Sequence, residues 1–79
     1  MENIYEISEK FKQLGQTMND FLIKNRNNFS EKDFNDLGDL TTQCFQLSDR
    51  IITDHADEGI AKTCFEHIVK EIRRILDGR

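Results

Sequence analysis

The chain has 79 residues, of which 37% are hydrophobic and 33% charged, with no proline or tryptophan, a composition that suits a folded helical domain and excludes a disordered tail. A formal net charge of −4 excludes the broad cationic footprint that binding nucleic acid or an anionic membrane requires. A single domain of this size buries enough apolar surface for only about 3–5 kcal/mol of net stability, so self-association is expected from size alone.

The opening Met1-Glu2-Asn3-Ile4-Tyr5-Glu6 has neither a basic segment nor an apolar one, and the longest apolar run is Phe21-Leu22-Ile23. Neither export nor membrane anchoring is expected, which points to the cytoplasm. From Ile4 the apolar residues recur as Ile4, Ile7, Phe11, Leu14, Met18 and Phe21, a strict alternation of three and four that predicts a helix over about 3–26. Tyr5 and Leu22 widen the stripe. Asn27 or Asn28 is the expected left-handed residue at its end.

Ser30 then reads as a helix N-cap, with Asp33 at the third helical position as a variant capping box and Phe29 and Phe34 spaced as a hydrophobic staple. The second helix is predicted over about 31–54, with Leu37, Leu40, Cys44, Leu47 and Ile51 as its stripe. Phe34, Thr41, Phe45 and Ile52 widen that face, as suits a helix contacted from two sides. Glu31, Asp33, Asp36 and Asp39 crowd the first turns, where the helix dipole favours negative charge.

A third helix is predicted over about 57–77 from Ile60, Ala61, Cys64, Phe65, Ile68, Val69, Ile72, Ile75 and Leu76, with Lys70, Arg73, Arg74 and Arg79 towards its end and Gly78 as the stop. The joint over residues 53–59 admits two readings. Asp54 or Asp57 caps a new helix, with Gly59 weakening continuity, and the chain is a three-helix bundle. Alternatively the stripe of the second helix continues in phase through 61, 65, 68, 72 and 75, and the chain is a helical hairpin with a long second helix. Either all-α form is expected to dimerise into a larger bundle. Gly15 and Gly38 fall near one level of the hairpin, where they could allow a close helix approach.

Little in the chain carries chemistry. Cys44, His55, Cys64 and His67 have the composition of a zinc site, but twenty positions separate the cysteines, where structural zinc sites place them two to four apart. A nucleophile at Cys64 with His67 as base has no third group and no oxyanion hole to complete it. Gly15, Gly38, Gly59 and Gly78 are isolated and build no phosphate loop. No enzymatic activity and no cofactor are expected, and the two thiols read as small buried hydrophobes.

The expected function is therefore a non-enzymatic protein–protein interaction module, a homodimeric adaptor or regulator that binds itself or another protein through Phe34, Phe45, Ile52 and Leu76. A second reading uses charge. Residues 27–55 hold six acids and two bases while the flanking segments are each neutral, so Asp36, Asp39 and Asp49 could occupy a basic surface of a target, in the manner of small phage or plasmid inhibitors. A third is a zinc or redox module at Cys44 and Cys64.

Overall fold

The computed structural model describes residues 3–78; Met1, Glu2 and Arg79 lie outside them. Three helices follow one another: α1 (Ile4–Lys24), α2 (Glu31–Thr53) and α3 (Glu58–Asp77). The molecule measures 38 × 19 × 18 Å. Its length is that of one helix, since the 23 residues of α2 rise about 35 Å. The hairpin of α1 and α2 is the most closely packed pair, and α3 packs less closely against each of them. The expected three-helix bundle is the fold.

Each helix start is fixed by a side chain that accepts a backbone N–H otherwise left unpaired. Asn3 caps α1 by accepting from the Glu6 N–H at 2.9 Å. Ser30 caps α2 by accepting from the Asp33 N–H at 3.1 Å, as expected. Asp57 caps α3 through Ile60 at 3.2 Å.

The end of α1 differs from expectation. Neither Asn27 nor Asn28 is left-handed; Arg26–Asn28 form a 3-10 turn instead. Asn25 makes the stop, its backbone N–H and its carboxamide both donating to the Phe21 carbonyl at 3.0 and 2.9 Å. Two donors on one carbonyl satisfy the helix end without a positive φ, so the left-handed route is not needed.

The joint between α2 and α3 is a sharp reversal, which overturns the long-second-helix reading. The Ala56 N–H donates to the Ile51 carbonyl at 3.0 Å and the His55 N–H to the Ile52 carbonyl at 3.2 Å. These are the two bonds of a Schellman motif, and His55 occupies its left-handed position with φ 51°. Ala56 then packs against the core and helps to lock the turn. Gly59 does not break α3: it lies in the first turn, behind the Asp57 cap.

The core is supplied by all three helices: Ile7, Phe11, Met18 and Leu22 from α1, Leu37, Cys44 and Ile51 from α2, and Ala61, Ile68, Ile72 and Ile75 from α3. Phe11, Leu37 and Cys44 are fully buried at its centre, and the Phe65 ring meets Phe11 edge-on at 5.2 Å. Truncating a buried phenylalanine costs about 3–5 kcal/mol, as much as a domain this small holds in reserve. The polar groups inside are satisfied. Thr41 donates to the Leu37 carbonyl at 2.8 Å, Ser48 donates to the Phe45 carbonyl at 2.8 Å, and Ser8 of α1 donates across the hairpin to the Ser48 carbonyl.

A left-handed histidine carries a steric cost that glycine does not. His55→Gly is expected to raise the free energy of unfolding in urea by about 0.5–1 kcal/mol. Asp54→Gly, at a right-handed position with φ −89°, is expected to lower it. Equal effects at the two positions would contradict the assigned turn.

Candidate interaction surface

With the core closed, the side chains that bear on function are those the packing leaves outside. On α2, Phe34, Phe45 and Ile52 lie on one flank: at about 100° per residue, Phe34 and Ile52 coincide in direction and Phe45 is only about 20° away. Phe34 and Ile52 are half-buried against the core, and Phe45 is 37% exposed. The stripe they make is about 27 Å long. Arg26 lies over the Phe34 ring at 5.1 Å, closing one end with a cation on the aromatic face. Leu76, the fourth expected anchor, is on α3 and belongs to a different surface.

The close approach expected of two glycines is made by one glycine and one ring. A Cβ built on Gly15 would stand 3.0 Å from Cζ of Phe45, whereas one on Gly38 would meet nothing within 4 Å. Gly15 thus lets the tip of the Phe45 ring abut α1, which explains how a phenylalanine on the rim of the hairpin keeps about two-thirds of its surface covered. Gly38 sits on the same side of α2 and faces open space, so its absent side chain leaves the stripe between Phe34 and Phe45 unobstructed.

The acidic residues do not gather. Asp36, Asp39 and Asp49 are spread over about 140° of the α2 circumference. Asp36 is engaged by Lys32 at 2.7 Å, and Arg50 pairs with Asp54 at 3.8 Å, so both basic residues of this segment sit among its acids. Such exposed pairs add little stability. They do dilute the one-sided anionic face on which the inhibitor reading rests.

A surface that sequence reasoning missed runs along α3. Two adjoining hollows share Phe65 and Glu66: one is lined by Ile7 and Lys10 of α1 and by Lys62, the other by Val69, Lys70 and Arg73. Leu76 continues the Phe65–Val69 flank, about 20° from Val69 around α3. The signal is present in the chain, since Lys62 and Arg73 fall within about 40° of Val69, but Lys70 and Arg73 are also explained by the helix dipole and Lys62 stands alone in the sequence. On α1, Lys10 and Gly15 are about 140° apart, so this groove and the Phe45 flank lie on opposite sides of that helix.

The cysteine and histidine candidates are not brought together. Among the described residues no three His, Cys, Asp or Glu side chains converge where they could hold an ion. Cys44 is fully buried, Cys64 is half-buried, and both thiols are free. Burial pushes the Cys44 thiol up from 9.0 to about 11, so at neutral pH it carries its proton, whereas metal binding and disulfide exchange need the thiolate. His55 is spent on the turn. His67 is exposed on α3 beside Glu71, whose carboxylate is held below its ordinary range, first by the hydrogen bond from Arg74.

No helix is long and apolar enough to cross a membrane among the described residues. No protein-family model, curated protein sequence or solved structure matches the chain.

Because the folded state holds the Cys44 proton to about pH 11 and the unfolded chain releases it near 9, stability from this group is complete below pH 9 and is lost as pH rises towards 11. The loss is on the order of 2–3 kcal/mol. Denaturant unfolding of the native chain between pH 9 and 10.5 should show this decline, and Cys44→Ala should flatten it. An equal decline in both chains would show that Cys44 is not its source.

Proposed function

We propose that this chain is a non-enzymatic helical protein–protein interaction module that acts in a reducing cytoplasm and pairs with a second copy of itself. The Phe34–Phe45–Ile52 flank supports this reading best. It is a line of three apolar side chains about 27 Å long on the outside of a bundle whose core is already closed, with Phe45 37% exposed. Single exposed apolar side chains are ordinary on any protein, but aligned ones on one flank are the usual mark of a surface to be covered.

The geometry suits a two-fold contact. Phe45 is near the middle of α2, so stripes from two copies crossing there would place ring against ring. Open space at Gly38 admits the partner's side chains. Aromatic anchors at the centre of a desolvated patch carry most of the free energy of such contacts. The acidic-inhibitor reading has less support, because Asp36, Asp39 and Asp49 are spread over about 140° of α2 with Lys32 and Arg50 among them. The zinc or redox reading has less still, because its first thiol is buried and protonated.

Absolute mass by light scattering across a dilution series, with reductant present, is expected to show a dimer that dissociates on dilution. Phe45→Glu should shift that dissociation to at least tenfold higher concentration while the helical circular dichroism and cooperative melt of the monomer persist. If Phe45→Glu unfolds the monomer, Phe45 belongs to the core and the flank is not the contact.

A further inference from the structure

The groove along α3 has a chemistry of its own. Its floor is apolar: Phe65 and Val69 are half-buried, and Ile7 closes the bottom at one end. Its rim carries Lys10, Lys62, Lys70 and Arg73 against a single acid, Glu66. Lys62, Lys70 and Arg73 are all exposed and make no ion pair among the described residues, whereas Lys32, Arg50 and Arg74 are each matched by an acid on their own helix. In a chain with a net charge of −4 this is a local reversal of sign.

We infer that this groove docks an acidic amphipathic helix of a partner protein, with the partner's apolar face on Phe65 and Val69 and its carboxylates on Lys62, Lys70 and Arg73. The inference rests on the interaction-module reading but uses the opposite side of α1 from the Phe45 flank. Helix-in-groove recognition needs an apolar trough about one helix wide and ridges at i, i+3, i+4 and i+7 to fill it. The rim charges then set orientation and exclude basic partners.

Two features favour an acidic helix over a nucleic acid. Duplex phosphates are met by cations without an apolar floor and single strands stack their bases on exposed aromatic faces, whereas here the one ring, Phe65, is half-buried against Phe11 and the rest of the floor is aliphatic. The acids spread around α2 would also repel a long polyanion, while a single helix no longer than the bundle would sit clear of them. A second copy is the weaker occupant, because its strongly acidic helix, α2, keeps its main stripe in its own core and its outer Phe34–Phe45–Ile52 flank is the surface proposed for self-pairing.

The probe is a fluorescein-labelled synthetic helix of about 18 residues, with leucine every third and fourth position and glutamate and alanine elsewhere. Its twin carries lysine in place of glutamate. Fluorescence anisotropy with the full chain at low salt should give at least tenfold tighter binding for the glutamate helix, weakening as salt rises. The double variant K62E and R73E, both at exposed positions, should lose that binding at least tenfold with an unchanged melt, and Glu66→Gln should tighten it several-fold. Equal binding of the two helices, or no effect of the double charge reversal, overturns the assignment.

Competition by a single-stranded oligonucleotide or by phosphatidylserine vesicles, abolished by the same double variant, would replace the acidic helix with a polyanion and also overturn it. Light scattering separates this result from the dimer reading. K62E and R73E should leave the self-association of the chain unchanged, and a fall in mass would make the groove the homodimer contact instead. A monomeric parent that still binds the glutamate helix would remove the dimer and leave the docking groove standing.

Discussion

The carbonyls of Ile51 and Ile52 at the end of α2 are taken up by the N–H groups of Ala56 and His55, and the rest of the structure depends on the reversal they enforce. If α2 ran on, α1 could cover only half of the continued apolar stripe, and a second chain would be needed to complete the core. Because the chain turns, Ala61, Ile68, Ile72 and Ile75 fold back onto Phe11, Leu37 and Cys44. The core is completed within one molecule. Folding then requires no second copy, and the proposed self-association falls to what is left outside.

The same turn decides which surfaces remain. With α3 seated against both helices of the hairpin, the side of α1 and α2 away from it keeps Phe45 with its ring tip at Gly15 and half-covered Phe34 and Ile52 along the same flank. The outer flank of α3 keeps Phe65 and Val69 between lysines and an arginine. One flank is apolar with few charges, the other apolar with a cationic rim. A bundle of three helices thus presents two surfaces of different chemistry on opposite sides of α1.

Much of this was legible in the chain. The periods of three and four located all three helices, and the Ser30 cap and the residues after it marked the start of α2. The joint was harder, because a histidine gives no warning of a left-handed turn: Asn27 and Asn28, which do accept that conformation readily, were the natural candidates and do not use it. Among the expected contact residues, Phe34, Phe45 and Ile52 could be grouped from spacing alone, since 11 and 18 residues return a helix to nearly the same direction. Leu76 could not be placed without knowing how α3 packs. Nor could Gly15 be matched with Phe45, because that pairing depends on the offset between two antiparallel helices, which no local pattern encodes. The α3 groove was overlooked for a related reason. Lys70 and Arg73 have a sufficient explanation in the helix dipole, and only the placement of Ile7 and Lys10 from α1 beside Lys62, Phe65 and Glu66 extends their hollow into a longer lined surface.

A single copy is expected to fold to completion and to associate only afterwards. The most direct measurement is urea unfolding followed by circular dichroism over a hundredfold range of protein concentration, reaching down to where light scattering reports the monomer mass. Full helicity in the monomer, with an unfolding midpoint that no longer moves on further dilution, is the result expected of a bundle closed by its own third helix. Helicity that falls away in step with the mass, with a midpoint that keeps dropping at every dilution, would mean that the core is shared between chains and that the turn at His55 does not close it.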